Sequence, residues 1–273
     1  MSQDLQTDLT VRRAGQPAGE APLLVFLHGL TDSGSGWPSA ERHWGSTYSI
    51  LTLDQRGHGT SPRFTPEQLA THPGEVMVAD AIGILEQLDA PPILIGHSLG
   101  GAVALTAAVR RPELVRALVL EDPAPLGPDD LQQDRSRGEE FAAGVRQSLA
   151  SRDDEDLLRI RREQHPDWAE DELLVSGVAE QQIDLDYLVH GDFKPVTRWP
   201  ELFAGLSVPT LVVSGDDMSE VCVTERMEER IGDIANPHVR VVRVAGAGHC
   251  IRREQPAAYY AAVDAFLAKH AAG

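Results

Sequence analysis

The sequence has few aromatic residues, few cysteines and no long apolar segment. Aromatic residues make up 5% of its 273 residues, and its two cysteines, Cys222 and Cys250, have the spacing of neither a disulfide framework nor a zinc motif. No apolar run approaches the roughly 20 residues that a membrane helix needs, and the first residues lack the apolar core of a signal peptide. We therefore expect a cytoplasmic protein, outside the membrane, with no structural disulfide and no metal.

Basic residues are also scarce. The chain carries 24 lysines and arginines against 42 acidic residues, a formal net charge of −18. Such a charge repels nucleic acids and anionic membrane surfaces, so neither is an expected partner. The hydrophobic fraction of 42% is ordinary for a globular protein, and the length suits one large domain or a core domain with one insertion.

Short apolar segments alternate with segments of helical periodicity. Six segments rich in Val, Leu and Ile predict buried strands, and an earlier one predicts an edge strand: residues 23–29, 48–57, 92–98, 116–124, 209–216 and 239–249, and residues 9–13. Helices are predicted between them at residues 74–88, 99–110, 223–231 and 255–270. This alternation predicts the α/β class, with a mainly parallel sheet covered by helices.

Residues 126–203 interrupt this alternation. Their apolar residues recur at helical spacing, and they include 19 acidic and 9 basic residues. They could form a solvated set of acidic helices, but the strand pattern resumes cleanly at residue 208, which favours a lid inserted into the core. We therefore predict a helical cap at residues 126–203 and a core made of residues 1–125 and 204–273. The bulky apolar residues of the cap are Trp168, Tyr187, Leu188, Phe193 and Trp199.

The segment GHSLG places Ser98 between a predicted strand and a predicted helix. A serine on such a tight turn projects its hydroxyl from the edge of the sheet, and the flanking glycines relieve the crowding of the strained backbone. The start of the following helix provides N–H groups for a developing oxyanion. Ser98 is therefore the candidate nucleophile, although an ordinary glycine-rich turn with a helix-capping serine would have the same sequence motif.

Two further positions complete the candidate chemistry. The loop after His28 can place the amide of Leu30 opposite that of Leu99, so that the two N–H groups form an oxyanion hole. His249 follows the last predicted strand on a glycine-rich loop, AGAGH, near the C-terminus. A serine needs a positioned base to take its proton, which makes His249 the candidate general base.

Several segments resemble, in their order, those of the α/β-hydrolase superfamily: HGLTDSGSGW, DQRGHGTSP, GHSLGGAVAL, LVLEDPAP, PTLVVSGDD and GAGH. The resemblance covers nearly the whole chain outside the insertion. It implies an eight-stranded, mostly parallel sheet with a helical cap after the sixth strand. It also implies a Ser-acid-His triad, and we expect no cofactor.

The acid departs from the family pattern. The family usually places it three residues beyond the glycine that ends PTLVVSG, and this sequence has Met218 there. Some members carry the acid after the sixth strand, where this sequence has Asp122 in LVLEDPAP. Asp122 is the favoured acid and Asp216 the alternative, with Asp217 and Glu121 still open.

A serine, rather than a carboxylate, as the candidate nucleophile in the turn between strand and helix implies acyl transfer. The expected reaction is hydrolysis of a carboxylic ester of a small or medium apolar molecule through an acyl-enzyme. Lactone, thioester and carbon–carbon bond hydrolysis use the same triad and stay open. A non-catalytic small-ligand-binding protein on this fold is the alternative from another class. The expected partner is a small-molecule ester, and the oligomeric state stays open.

Overall fold

A computed structural model of the protein describes residues 5–124, 135–151, 153–191, 193, 195 and 197–271. Seven β-strands form one sheet. Each overlaps a segment that the sequence predicts as a strand, although β1 lies two residues later than predicted. Their bounds are β1 Val11–Gly15, β2 Leu23–Leu27, β3 Ser49–Leu53, β4 Ile93–His97, β5 Ala117–Glu121, β6 Thr210–Gly215 and β7 Val239–Val244.

The strands lie in the order β1-β3-β2-β4-β5-β6-β7. All neighbours are parallel except β1, which runs antiparallel to β3 with Val11 opposite Leu53. The count of eight strands implied by the resemblance is wrong for the described residues, because residues 5–10, which precede β1, form no strand. For the same reason the helical insertion follows the fifth described strand and not the sixth.

Helices cover the sheet and fill the insertion. The core contains the four helices that the sequence predicts, with shifts at their ends, and three shorter helices that it does not predict. Those before the insertion are α1 Pro38–Trp44, α2 Pro66–Leu69, α3 Pro73–Leu85 and α4 Ser98–Arg110; those of the insertion are α5 Arg135–Leu149, α6 Asp154–Gln164, α7 Glu170–Gln181, α8 Leu185–His190 and α9 Trp199–Gly205; those after it are α10 Glu225–Ile234, α11 Ile251–Glu254 and α12 Pro256–His270. None of the described helices is both long enough and apolar enough to span a membrane.

The side-chain alternation of the strands builds two buried layers. Successive side chains of a strand point to opposite faces of the sheet. In β2, Leu24 and Phe26 therefore join the layer that includes Trp37 and α12, while Val25 and Leu27 join the layer that includes α3 and α4. Because both faces are buried, the central strands are continuous apolar runs rather than alternating ones.

The last helix of the insertion packs with the core. Trp199, Leu202 and Phe203 of α9 are buried in the same layer as α3 and α4, and so is Tyr187 of α8. The predicted boundary between residues 203 and 204 falls inside α9. The predicted cap begins outside the described residues, which exclude residues 125–134 and, within the cap, residues 152, 192, 194 and 196.

Candidate active site

Ser98 occupies a strained turn between β4 and α4. It is the first residue of α4, and its φ of 51° lies in the left-handed region, which costs a residue other than glycine about 1–3 kcal/mol. The glycines on either side make the turn possible. A Cβ added at Gly96 would lie 2.5 Å from the carbonyl oxygen of Gly100, and one at Gly100 would collide with the backbone of Leu27. The structure therefore has the geometry that the GHSLG motif predicts.

His249 and Asp122 form a direct side-chain pair. The Nδ1 atom of His249 lies 2.6 Å from Oδ2 of Asp122. Asp122 follows β5 with a φ of 37°, and its side chain is completely buried. Of the four acids considered from the sequence, the structure brings Asp122 to the imidazole.

Three further donors fix the Asp122 carboxylate. Its Oδ2 accepts a hydrogen bond from the backbone N–H of Cys222 at 2.7 Å. Its Oδ1 accepts from the N–H of Val223 at 2.9 Å and from the hydroxyl of Ser214 at 2.8 Å. With His249, the carboxylate thus has four partners, which hold it in one orientation inside the protein.

The other acids have other contacts. Asp216 is exposed, and its Oδ1 accepts from the N–H of Gly246 at 2.8 Å, so it stabilises the turn before His249. Asp217 binds Ser219, and both aspartates line a cavity of about 530 Å³ beside the insertion. Glu121 is buried against Arg252, as described below.

Asp122 and a cysteine determine the protonation of His249. Burial opposes the charged ring, but the hydrogen bonds with the Asp122 carboxylate and the Cys222 thiol outweigh it and raise the pKa of His249 well above its usual value. The His249 side chain keeps 29% of its surface exposed. The sequence gives Cys222 no role beside His249, because nothing local to it marks its proximity to a histidine 27 residues later.

The loop after β2 lies beside Ser98. A Cβ added at Gly29 would lie 2.9 Å from Nδ1 of His97 and 3.4 Å from Cβ of Ser98. The carbonyl oxygen of Leu30 is 2.7 Å from Nε2 of His58, which fixes the next peptide of the loop. Leu99 is the second residue of α4, where backbone N–H groups have no partner within the helix.

The neighbouring histidines are buried and neutral. Burial lowers the pKa of His28, and burial together with the nearby His28 lowers the pKa of His58 to about 3. His28 accepts a hydrogen bond from the N–H of Gln55 at 2.9 Å, and the side-chain amide of Gln55 donates to the His28 carbonyl at 2.6 Å. These contacts give His28 a structural role.

Two buried arginines follow His249 in α11. The backbone N–H of Arg252 donates to Oε1 of Glu121 at 2.8 Å, and its Nη1 donates to Oε2 at 3.2 Å. The Arg252 guanidinium also lies over the ring of Trp37, 4.0 Å from its centre. Because Glu121 precedes Asp122, this pair connects the segment of His249 to the strand that carries its partner.

Arg253 connects the same segment to the insertion. Its Nε donates to Oε2 of Glu172 in α7 at 2.7 Å, and its Nη2 donates to Oδ2 of Asp32 at 2.8 Å. Burial opposes the charge of Glu172, but the two arginines outweigh it and lower its pKa to about 2. Adjacent arginines shortly after His249, in the segment AGAGHCIRR of an otherwise acidic chain, were the signal that could have revealed this cluster.

Comparisons with known proteins agree on the family. The sequence matches the model of the alpha/beta hydrolase family over residues 24–263. It is 30% identical over 258 residues to the mouse protein named sn-1-specific diacylglycerol lipase ABHD11, covering 90% of this chain and 81% of the mouse protein. It is 27% identical over 266 residues to 2-(acetamidomethylene)succinate hydrolase of Mesorhizobium japonicum, covering 91% of this chain and 89% of that enzyme.

A solved structure shares the fold. The crystal structure of E-2-(acetamidomethylene)succinate hydrolase superposes with a TM-score of 0.75 at 22% identity, covering 95% of each chain. At this identity the likeness concerns the fold alone. Together with the family match over most of the sequence, it leads to one conclusion: the chain belongs to the alpha/beta hydrolase family.

Proposed function

We propose that the protein is a serine hydrolase that cleaves carboxylic esters of small or medium apolar molecules through an acyl-enzyme. The observation that carries the proposal is the 2.6 Å contact between His249 and Asp122. It lies at the same end of the sheet as Ser98, whose backbone has the strained φ of a tight turn. The family membership supports hydrolysis in general. The more specific parts of the proposal are that the substrate is an ester, that Ser98, His249 and Asp122 act as a triad, and that an acyl-enzyme forms.

In the proposed mechanism, Ser98 attacks the ester carbonyl while Nε2 of His249 takes its hydroxyl proton. The Asp122 carboxylate accepts the Nδ1–H and stabilises the imidazolium. The amides of Leu30 and Leu99 donate to the oxyanion of the tetrahedral intermediate. The intermediate collapses, His249 gives the proton to the leaving alcohol, and a water activated by the same histidine hydrolyses the acyl-enzyme.

Apolar packing supports an apolar acyl group. The Leu30 side chain packs against the cluster formed by Ala142, Val145, Ile183 and Leu188 of the insertion. Apolar side chains of the insertion therefore reach the loop that carries one proposed oxyanion donor. The names of the two relatives point to a lipid ester and to a small acid, and the apolar packing together with the net charge of −18 favours the neutral, apolar substrate.

The proposed cap role of the insertion rests on the same packing. Trp168, Tyr187, Leu188 and Trp199 are buried, so they contribute mainly to the packing of the insertion and of the core. Phe193 is only partly buried; it contacts both Tyr187 and Phe141, with ring centres 5.4 and 6.0 Å apart. We propose that apolar residues of the insertion around Phe193 limit the size of the acyl group.

Covalent labelling tests the nucleophile. Wild-type protein treated with a fluorophosphonate should gain one adduct, located by mass spectrometry on Ser98. Ser98→Ala should lose the adduct and the hydrolysis of p-nitrophenyl esters, whereas Ser46→Ala, at an exposed serine, should keep both. An adduct that persists in Ser98→Ala would contradict the mechanism.

A substrate panel tests the reaction. We expect p-nitrophenyl esters with short and medium acyl chains to be hydrolysed with higher kcat/KM than lactones and thioesters. A preference for lactones or thioesters would keep the triad and change the substrate class. Absence of turnover and of labelling, together with tight binding of a small ligand, would indicate the non-catalytic alternative.

A further inference from the structure

Cys222 adds a metal-binding side chain to the Asp122–His249 pair. A carboxylate oxygen of Asp122, a ring nitrogen of His249 and the Sγ of Cys222 all lie within 4.8 Å of one another. We propose that these three residues form a binding site for a thiophilic divalent cation such as Zn²⁺ or Cd²⁺, and that the bound cation switches the hydrolase off. The inhibition rests on the proposed function, whereas the binding site does not.

The donor set suits these cations. Zinc binds thiolate, imidazole and carboxylate ligands at about 2.0–2.3 Å, commonly with water in a fourth position. Tetrahedral ligands at these lengths lie roughly 3.3–3.7 Å apart. The Nδ1 atom of His249 and Oδ2 of Asp122, now 2.6 Å apart, must therefore separate by about 0.7–1 Å. The thiolate ligand selects against magnesium and calcium, which prefer oxygen.

The charges balance at the site. Asp122 is completely buried, so an added positive charge there needs compensation. With His249 neutral, the carboxylate and an ionised Cys222 cancel the two charges of the cation. The cation takes the place of the Nδ1 proton between His249 and Asp122; that proton moves to Nε2, and the Cys222 thiol releases its proton to solvent. The backbone N–H groups of Cys222 and Val223 can continue to bind the carboxylate.

The site is also accessible. The His249 side chain is 29% exposed, and Cys222 is partly exposed. A cation can therefore approach His249 and Cys222 from solvent, and the buried Asp122 ligand oxygen lies within 4.8 Å of both. Once bound at Nδ1, the cation removes the hydrogen bond by which Asp122 orients the ring. Because Nε2 then carries the ring proton, His249 can no longer take the Ser98 proton, and turnover stops until the cation leaves.

Direct binding is tested with Cd²⁺ in the Ser98→Ala background, which lacks the nucleophile and retains all three ligands. Titration should produce the ultraviolet charge-transfer absorbance of a cadmium–thiolate bond, saturating at one equivalent. Adding Cys222→Ala or His249→Ala should abolish the saturable signal. Adding Cys250→Ala, which removes the other cysteine, should leave it intact. A signal that depends on Cys250, or that is unaffected by the loss of His249, would overturn the proposed site.

Inhibition is tested separately with the enzyme that retains Ser98. Zn²⁺ should inhibit ester hydrolysis, and a chelator should restore it. The concentration for half-inhibition, measured against each variant's own uninhibited rate, should rise at least about tenfold in Cys222→Ala but not in Cys250→Ala. Equal inhibition of wild type and Cys222→Ala would overturn the proposed switch. If no ester is hydrolysed at all, the proposed function fails, while the cadmium absorbance still reports on the site.

Discussion

His97 donates a hydrogen bond from Nε2 to the backbone carbonyl oxygen of His249, across 3.1 Å. Burial, together with the proximity of His249, keeps the pKa of His97 well below its usual value, so the ring is neutral. Its Nδ1 has no hydrogen-bond partner in the part of the chain that the structure describes. The residue before the proposed nucleophile therefore holds the loop of the proposed base, and the two chain segments are fixed to each other independently of Asp122.

His97→Ala should lower kcat by up to about tenfold, because one neutral hydrogen bond contributes about 0.5–1.5 kcal/mol. His249→Ala should lower kcat by about a thousandfold or more, because it removes the base. His97→Gln, which can keep a donor near the same position, should recover part of the loss. Steady-state kinetics on folded variants measures all three, and a loss in His97→Ala as large as that in His249→Ala would make the assignment of the base unsafe.

Asp122→Asn should lower kcat by about 10³- to 10⁴-fold, since His249 loses the partner that fixes its tautomer. Asp216→Asn should have a much smaller effect, because Asp216 binds the N–H of Gly246 and not the imidazole. Both variants are compared in kcat, with folding checked by circular dichroism. The reverse ranking would move the catalytic acid to the end of β6.

In a plot of kcat against pH, the fall in activity on the acidic side should have its midpoint above 6.5, the ordinary pKa of a histidine. The base must be neutral to accept a proton, and a raised pKa keeps the ring protonated to higher pH, so activity is lost as the pH falls through that raised pKa. Cys222→Ala removes one of the groups that raise the pKa of His249, and it should move the midpoint to lower pH. Cys222→Ser, which keeps a hydroxyl at that position, should shift it less; a midpoint that is unchanged in both variants would show that Cys222 does not act on His249.

Local sequence patterns predicted the strands and the turn at Ser98, because these features depend mainly on residues that are neighbours in the sequence. The apolar run 93–95 is buried on both faces, and the clash that requires Gly96 is with the nearby Gly100, although Gly100 itself is required by the distant backbone of Leu27. The four longer helices of the core were predictable for the same reason, whereas the short helices α1, α2 and α11 were not predicted. The eighth strand was wrong because it came from the resemblance and no run of residues in this chain supported it.

The partners of the site were harder to predict because they depend on the folded chain. Asp122 and Asp216 each follow a strand at the same edge of the sheet, and sequence favoured one without separating them. Their difference arises from distant groups: Ser214 and the backbone of Cys222 orient Asp122 towards His249. The buried ion pairs of Arg253 likewise join residues more than 80 positions apart, which no local pattern encodes.

Glu172→Gln should destabilise the protein at neutral pH and make its stability less sensitive to acid. The folded-state pKa of Glu172 is lowered from an ordinary 4.5 to about 2, which corresponds to about 3 kcal/mol of stability. Because this pKa is depressed, the contribution is complete above about pH 5 and is lost as the pH falls towards 2. Glutamine keeps an acceptor for Ser39 but not the charge that pairs with Arg253.

Urea unfolding at several pH values between 7 and 3 measures this effect. The difference in free energy of unfolding between wild type and Glu172→Gln should be largest near neutral pH and should shrink below pH 4.5. Glu170→Gln is the matched control: it lies on the same helix α7, but its pair with Arg162 is solvent-exposed, so little change is expected. A difference between wild type and Glu172→Gln that stays constant with pH would mean that packing, and not the charge of the buried pair with Arg253, connects α7 to the segment after His249.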